Sequence, residues 1–492
     1  MMSSTAGATP TNPPGHLRTR DGRKLINLTR GWPSPATLPA QQLRQAADRF
    51  LAADPAVVVP GLQYGPDAGH PPLRAALAAW LGRLYGAGAG GGPERICITG
   101  GASQSIACIL QSFTDPAFTR AVWAVAPCYF LACPILADAG FAGRLRAVPE
   151  DEEGVDLDAL ETGLDAFETD PGEAKLDRPV FKVPGPLRKV YKHIIYAVPT
   201  CANPSGLTMS RRRREGLVRL ARKYNALVIC DDVYDFLQWP VDSASAGDPV
   251  PLSLPLLPRL SDIDGALGAT RHDPAGKCFG HAVSNGSFSK IIAPGVRTGW
   301  VHGTADFALG LAQTGSTKSG GAPSQLTAAV VGEMLASGAL DDHLARTARP
   351  ALRARHAAAL TAVRTHLAGL GVGVSAASEG RYGGYFLWLT LPAGSSGGRA
   401  QWDAAEVAAR AQEEEDLIIA PGKLFEVLGD TESATFPRNI RLCYAWEAEE
   451  DIVEGIARLG RVMQSMLDEG EGARAGKPED PTHGTKDEFE YA

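Results

Sequence analysis

No stretch of 18 or more apolar residues occurs in the chain, so nothing in it reads as a membrane-spanning helix. The opening MMSSTAGATPTNPPGHLRTR lacks the apolar core of a secretory signal, and no arginine precedes Arg18, which argues against a transit peptide. An excess of positive charge is missing too. The 48 Lys and Arg face 55 Asp and Glu, a net charge of −7, whereas a general nucleic-acid binder shows a basic footprint. Eight cysteines (97, 108, 128, 133, 201, 230, 278 and 443) form no CxxC pair and accompany no histidine cluster. Neither a metal site nor a disulfide framework is therefore expected, and they read as reduced, mostly buried thiols of a cytoplasmic protein. What remains is small-molecule chemistry on a large core: 492 residues, 44% hydrophobic, suffice for two or three domains.

The first 24 residues are rich in Pro, Ser, Thr and Gly and read as a flexible arm. Residues 25–55 then form an N-terminal segment expected to pack with a smaller domain. From 56 to 322 short apolar runs alternate with amphipathic helical stretches: Ile96 to Thr99, Ala121 to Val125, Ile194 to Val198 and Leu227 to Cys230 are the clearest runs. Strands without polar alternation, separated by helices, predict an α/β domain around a mainly parallel sheet covered on both faces. Ligands on such sheets gather at the strand C-terminal ends. Residues 240–280, with much Pro, Ser, Gly and Asp, read as an inserted surface loop. After a long Ala/Arg-rich helix from about Asp341 to Ala368, strands near 385–391, 417–420 and 440–444 and a final helix suggest a smaller α+β domain over 323–467. Residues 468–492, acidic and almost without aliphatics, read as a disordered tail.

The most informative string is SFSKIIAPGVRTGW, Ser287 to Trp300. A lysine amine can condense with an aldehyde, and the hydroxyls of Ser287 and Ser289 together with the planar fork of Arg297 suit a phosphate. The Ala293-Pro294-Gly295 turn would bring Arg297 back beside Lys290. In TGGASQSI two glycines start a helix whose free amides and dipole suit an anion, which nominates Gly101, Ala102 and Ser103 for the same phosphate. In RNIRLCYAW, Arg441 sits on an apolar strand where an unpaired guanidinium is costly, so something anionic should meet it. The run Arg211 to Arg214 reads as a solvated helix face rather than a nucleic-acid patch.

Those strings, with APCYF, PTCANPSG and VICDDVYDFL, resemble the class I/II aminotransferases, the fold-type I enzymes of pyridoxal 5′-phosphate, over about Gly31 to Leu467. The resemblance implies a large domain with a mainly parallel seven-stranded sheet plus a smaller α+β domain, and Lys290 as the catalytic lysine that holds the cofactor. It implies that Tyr129 stacks on the cofactor ring, that Asn203 and Tyr234 share the ring hydroxyl, and that Asp231 keeps the ring nitrogen protonated. It further implies that Arg441, helped by the backbone of Gly31 and by Asn203, takes the substrate α-carboxylate. Tyr64 in LQYGPDAG would reach the phosphate of a neighbouring subunit in a homodimer with shared active sites, near whose interface SGGAPSQ, Ser319 to Gln325, would lie.

With LQYGPDAG and GGYFLW as the local reasons, the likeness is nearest the aromatic, kynurenine and 2-aminoadipate branch. The function implied is a ping-pong transfer of an amino group from an amino acid to a 2-oxo acid in amino acid metabolism, a biosynthetic role in the cytoplasm. Two rivals stand beside it. A carbon–sulfur lyase would use the same fold and cofactor for elimination. A non-catalytic regulator would carry a DNA-binding domain ahead of this part, and only about 30 residues precede Gly31 here. Arg381, just before a strand near the substrate mouth, is a weaker candidate for an acidic substrate side chain.

Overall fold

The computed structural model describes residues 23–86, 91–169, 176, 178–241, 248–253, 256–318, 323–393 and 402–472. Most of the expected N-terminal arm, most of the acidic tail and Ser319 to Ala322 of the SGGAPSQ segment lie outside them.

The large sheet comprises Ile96–Thr99 (β1), Ala121–Ala126 (β2), Leu145–Asp151 (β3), Gly154–Val155 (β4), His193–Ala197 (β5), Ala226–Asp231 (β6), Ala282–Ser287 (β7) and Gly299–His302 (β8). Their spatial order is β1-β8-β7-β6-β5-β2-β3-β4. Seven strands make the body, and the eighth, two-residue β4 is a hairpin return on the edge. The run β7-β6-β5-β2-β3 is parallel, whereas β8 is antiparallel to both its neighbours. The reason is the connection: only residues 288–298 separate β7 from β8, too few for a crossover helix, so the chain must turn straight back.

Successive side chains of the central strands enter opposite cores, as the period of two demands. Val122, Ala124, Ile194, Tyr196, Leu227 and Ile229 pack on one face; Trp123, Val125, Ile195, Ala197, Val228 and Cys230 pack on the other. Both faces being covered explains the absence of polar alternation in these runs, and each large apolar side chain so buried contributes roughly 1.5–3 kcal/mol.

A second, four-stranded antiparallel sheet orders Gly373–Val374 (β9), Phe386–Thr390 (β10), Ala420–Pro421 (β11) and Asn439–Cys443 (β12) as β9-β10-β12-β11. Helices Arg349–His366 and Glu449–Gly472 pack against each other beside it. The N-terminal segment joins this unit: Ile26–Asn27 pairs in parallel with Leu417–Ile418, and Cys443 N donates to Leu28 O at 2.7 Å. Residues 29–31 then cross toward the end of the large sheet. Helix Gln325–Ala336 packs on Ala40–Leu51 and on Pro71–Tyr85.

Three sequence expectations are corrected. The final helix runs to Gly472, so the chain is still helical past 468: Arg410, from a neighbouring helix, bonds Glu469 at 2.7 Å and holds that turn. The stretch 240–280 is not a loose surface loop in its described part: it contains helix Leu260–Ala266, and buried Arg259, Asp264 and Phe279 anchor it to the large domain. Asp264 takes Arg222 at 2.7 Å and the amide of His281 at 2.6 Å. Residues 242–247, 254 and 255 of that stretch are outside the described residues. Finally, Arg214 does not share a solvated helix face with Arg211 and Arg212; it is almost wholly buried.

Candidate active site

Five strand ends and one strand start meet at one edge of the large sheet. The chain leaves β1 at Thr99 and starts helix Ala102–Phe113 from Gly101, whose φ of 103° only glycine adopts without strain. A Cβ there would lie 2.7 Å from Arg297 Nη2. Among the described residues no side chain caps this helix, which leaves its first amides without a side-chain acceptor, and Ala102 and Ser103 line the cavity.

Opposite them stands the turn between β7 and β8. Ser287 Oγ accepts from the Ser289 amide at 3.1 Å and donates to Ser289 Oγ at 2.9 Å. Arg297, in the left-handed region at φ 42°, folds back so that Nη1 donates to Ser289 Oγ at 3.1 Å and to Pro294 O at 3.0 Å, and Nη2 to Gly100 O at 2.9 Å. The helix start, two hydroxyls and a guanidinium thus line one end of the same cavity.

Lys290 lies deeper. Its Nζ donates to Gly31 O at 2.6 Å and sits 5.4 Å from the Tyr385 ring centroid. Burial pulls its pKa down to about 8, against the opposing pull of Cys443 and Asp231, while the Arg441 charge lowers it further. Asp231, at the end of β6, receives the Tyr196 hydroxyl at 2.9 Å on Oδ2; its buried Oδ1 has no partner among the described residues. Burial pushes this carboxyl up to about 6, with the Tyr196 bond and the Lys290 charge working the other way. Tyr129, following β2, and Tyr234, packed on Tyr385 at 5.4 Å between centroids, close the sides of the same cavity.

Arg441 comes from β12 of the small sheet. It is buried against Phe386 and Phe425, 4.2 and 4.8 Å from their centroids, donates to Asn203 Oδ1 at 2.8 Å and to Thr29 O at 2.5 Å, and keeps Nε free of any partner among the described residues. No carboxylate meets it among the described residues, and burial lowers its pKa. Asn203 is positioned by the misjudged arginine: Arg214 donates to Pro199 O and Thr200 Oγ1 at 2.9 Å each and to Met209 O at 3.0 Å, tying both ends of the Asn203 loop. Its spacing from the apolar Leu217 and Val218 on one helix face was the available signal.

One cavity of about 320 Å³ collects these groups. It brings together Lys290, Asp231, Asn203, Tyr129, Tyr234 and Arg441, and on the anion side Ala102, Ser103, Ser287, Ser289 and Arg297, with Gly31 between. Gly101 heads the adjoining helix but is not itself among the lining residues, and two sequence candidates lie elsewhere. Tyr64 is 82% exposed and outside the cavity. Arg381 is on Arg381–Gly383, paired with Gln238–Pro240, and does not line the cavity, so its role toward a substrate side chain is withdrawn. Sequence reasoning missed Tyr196 beneath Asp231, and Arg30 and Trp32 at the cavity wall.

The model of the family described as aminotransferase class I and II matches residues 23–459. An uncharacterized protein of Saccharomyces cerevisiae is 34% identical over 90% of this chain and 97% of its own length. The 2-aminoadipate transaminase of Thermus thermophilus is 28% identical over 92% of this chain and 96% of its own. Among solved structures, Pyrococcus horikoshii kynurenine aminotransferase in complex with PMP superposes with a TM-score of 0.68 at 26% identity, covering 90% of this chain and 91% of that one.

The cofactor such proteins use, pyridoxal 5′-phosphate, fits the residues present. The unpartnered Asp231 Oδ1 suits a protonated ring nitrogen, the bare Cα of Gly101 leaves room beside Arg297, and Lys290 is an amine of lowered basicity.

Proposed function

The chain belongs to the aminotransferase class I and II family and is a pyridoxal-phosphate-dependent transaminase, and we propose that it moves the amino group of an aromatic or 2-aminoadipate-like amino acid to a 2-oxo acid in two half-reactions. The observation that carries this reading is Arg441, a buried guanidinium with no carboxylate partner among the described residues, in the same cavity as Lys290 and Asp231.

In this mechanism Gly101, Ala102, Ser103, Ser287, Ser289 and Arg297 would hold the phosphate, Tyr129 would stack on the ring, and Asn203 and Tyr234 would share its hydroxyl. The cofactor, when bound, supplies an aldehyde that holds the amino group and a ring that draws electrons from the α-carbon. Arg441 binds the substrate α-carboxylate and so fixes which bond at the α-carbon faces Lys290. Lys290, whose free amine burial holds at a pKa of about 8, would serve as the base that takes the α-proton once a substrate amine has released it. Asp231 would set a negative charge against the ring nitrogen, and the Tyr196 hydroxyl holds that carboxylate in place. Phe386 and Phe425 screen the Arg441 carboxylate pair from water.

A homodimer belongs to the same proposal. Tyr64 is exposed, as are Val57, Val59 and Leu62 in the preceding helix, and exposed apolar side chains of this kind suit a second copy that would receive Tyr64 at its phosphate. We place the enzyme in the cytoplasm, in amino acid biosynthesis; among the described residues no helix is long and apolar enough to cross a membrane.

The test is the absorption spectrum of the loaded protein before and after single amino acids, without any oxo acid. Stoichiometric conversion of the cofactor band with release of a 2-oxo acid and no ammonia supports the proposal. Continuous release of ammonia would instead indicate elimination, and an unchanged band with every amino acid would indicate a binding protein.

A further inference from the structure

Arg30 stands between the two cations already described. Thr29 O on one side of it accepts from Arg441, and Gly31 O on the other accepts from Lys290, so its backbone spans the gap between the α-carboxylate site and the catalytic amine. Arg30 lines the same cavity. The guanidinium lies in the corner formed by Trp32 and Trp446, 5.1 and 4.9 Å from their centroids, the two rings being perpendicular at 5.7 Å. Aromatic faces fix the position of the planar group while leaving its N–H edge available. No hydrogen bond or ion pair to that edge occurs among the described residues, and Trp32 is 49% exposed, which puts the corner at the mouth rather than in the core.

Charge counting points the same way. Four cations line the cavity, Arg30, Lys290, Arg297 and Arg441, against one carboxylate, Asp231. A phosphate answers Arg297, and an α-carboxylate answers Arg441. Arg30 is left without an anionic partner among the described residues, at the exposed mouth of the cavity.

Resting on the transaminase reading above, we propose that Arg30, fixed by Trp32 and Trp446, is the specificity residue that binds a carboxylate at the far end of the substrate side chain. The preferred substrates are therefore dicarboxylic amino acids and their 2-oxo acids rather than aromatic ones. Binding is bidentate, guanidinium to carboxylate, and the aromatic corner removes most of the freedom that an exposed arginine would otherwise lose.

The experiment uses the full chain loaded with pyridoxal 5′-phosphate. Single-turnover conversion is measured with L-2-aminoadipate and L-glutamate, with the neutral L-norleucine and L-glutamine, and with L-phenylalanine. The acids should exceed their neutral counterparts in kcat/KM by about tenfold or more. Arg30→Ala and Arg30→Gln should lower the acid rates about 10- to 100-fold and leave the neutral ones within about threefold, and Arg30→Lys should recover part of the loss. An acid-to-neutral ratio equal in parent and Arg30→Ala overturns the proposal, as does a parent that prefers phenylalanine. In parallel, Trp fluorescence reports binding of glutarate against valerate, neither of which can react. If no amino acid is converted, the transaminase reading falls; the glutarate preference, kept in the parent and lost in Arg30→Ala, then still decides whether Arg30 binds a distal carboxylate.

Discussion

Replacing Asp231 by Asn should stabilise the cofactor-free protein and disable the loaded one. Burial raises the Asp231 carboxyl from the ordinary 3.8 to about 6, because among the described residues its only side-chain partner is the Tyr196 hydroxyl and its second oxygen has none. The folded value lies above the unfolded one, so the folded chain binds more protons between about pH 4 and 6, and stability is lost as pH rises through that window. A shift of roughly two units corresponds to about 3 kcal/mol of folding stability withheld at pH 8. Asn keeps an acceptor for Tyr196 and carries no charge. Urea denaturation of the apoprotein should therefore show Asp231→Asn more stable by up to about 3 kcal/mol at pH 8, with the gain vanishing near pH 4. With pyridoxal 5′-phosphate bound the order should reverse, since the carboxylate then faces a protonated ring nitrogen, and turnover of the variant should fall at least about 100-fold. Equal urea midpoints for the two apoproteins at pH 8, or a higher one for the parent, would refute the argument that Asp231 is held desolvated for a cationic partner.

Three further outcomes follow from the same geometry. Burial lowers Lys290 to about 8, and only a neutral amine attacks an aldehyde; stopped-flow cofactor capture by the apoprotein should rise about tenfold per pH unit and level off near 8, whereas levelling near 10.5 would contradict the desolvation. Gly101→Ala puts a Cβ 2.7 Å from Arg297 Nη2 at a φ of 103°, so equilibrium titration should show cofactor affinity reduced about tenfold or more; unchanged affinity would remove Arg297 from the phosphate site. Arg441→Lys keeps the charge but loses the fork that reaches Asn203 and Thr29; steady-state kinetics should show KM for the amino acid up by about 100-fold with the cofactor spectrum unaltered, and an unchanged KM would free Arg441 of its carboxylate role.

The local strings determined much of this protein. Lys290, Ser287, Ser289 and Arg297 lie within eleven residues, so a single turn suffices to bring them together, and Gly101 to Ser103 are bound to one helix start whatever the rest of the chain does. The apolar runs ahead of Gly100, Tyr129 and Asp231 were legible as buried strands because period and length do not depend on partners. What only the tertiary structure decided involves groups far apart in the chain. Arg441 and Asn203 are 238 residues apart and meet because the small sheet docks over the strand ends. Arg381, on a strand near the mouth in sequence, pairs with Gln238–Pro240 and so lies off the cavity. Arg214 reads as one of four surface arginines, yet the loop it ties draws it inside. Arg30 carried no signal at all, because its corner is made by Trp446, more than 400 residues away. Sequence determines what is near along the chain; the pairing of distant side chains depends on strand register and domain docking, which follow from the sum of burial over the whole core.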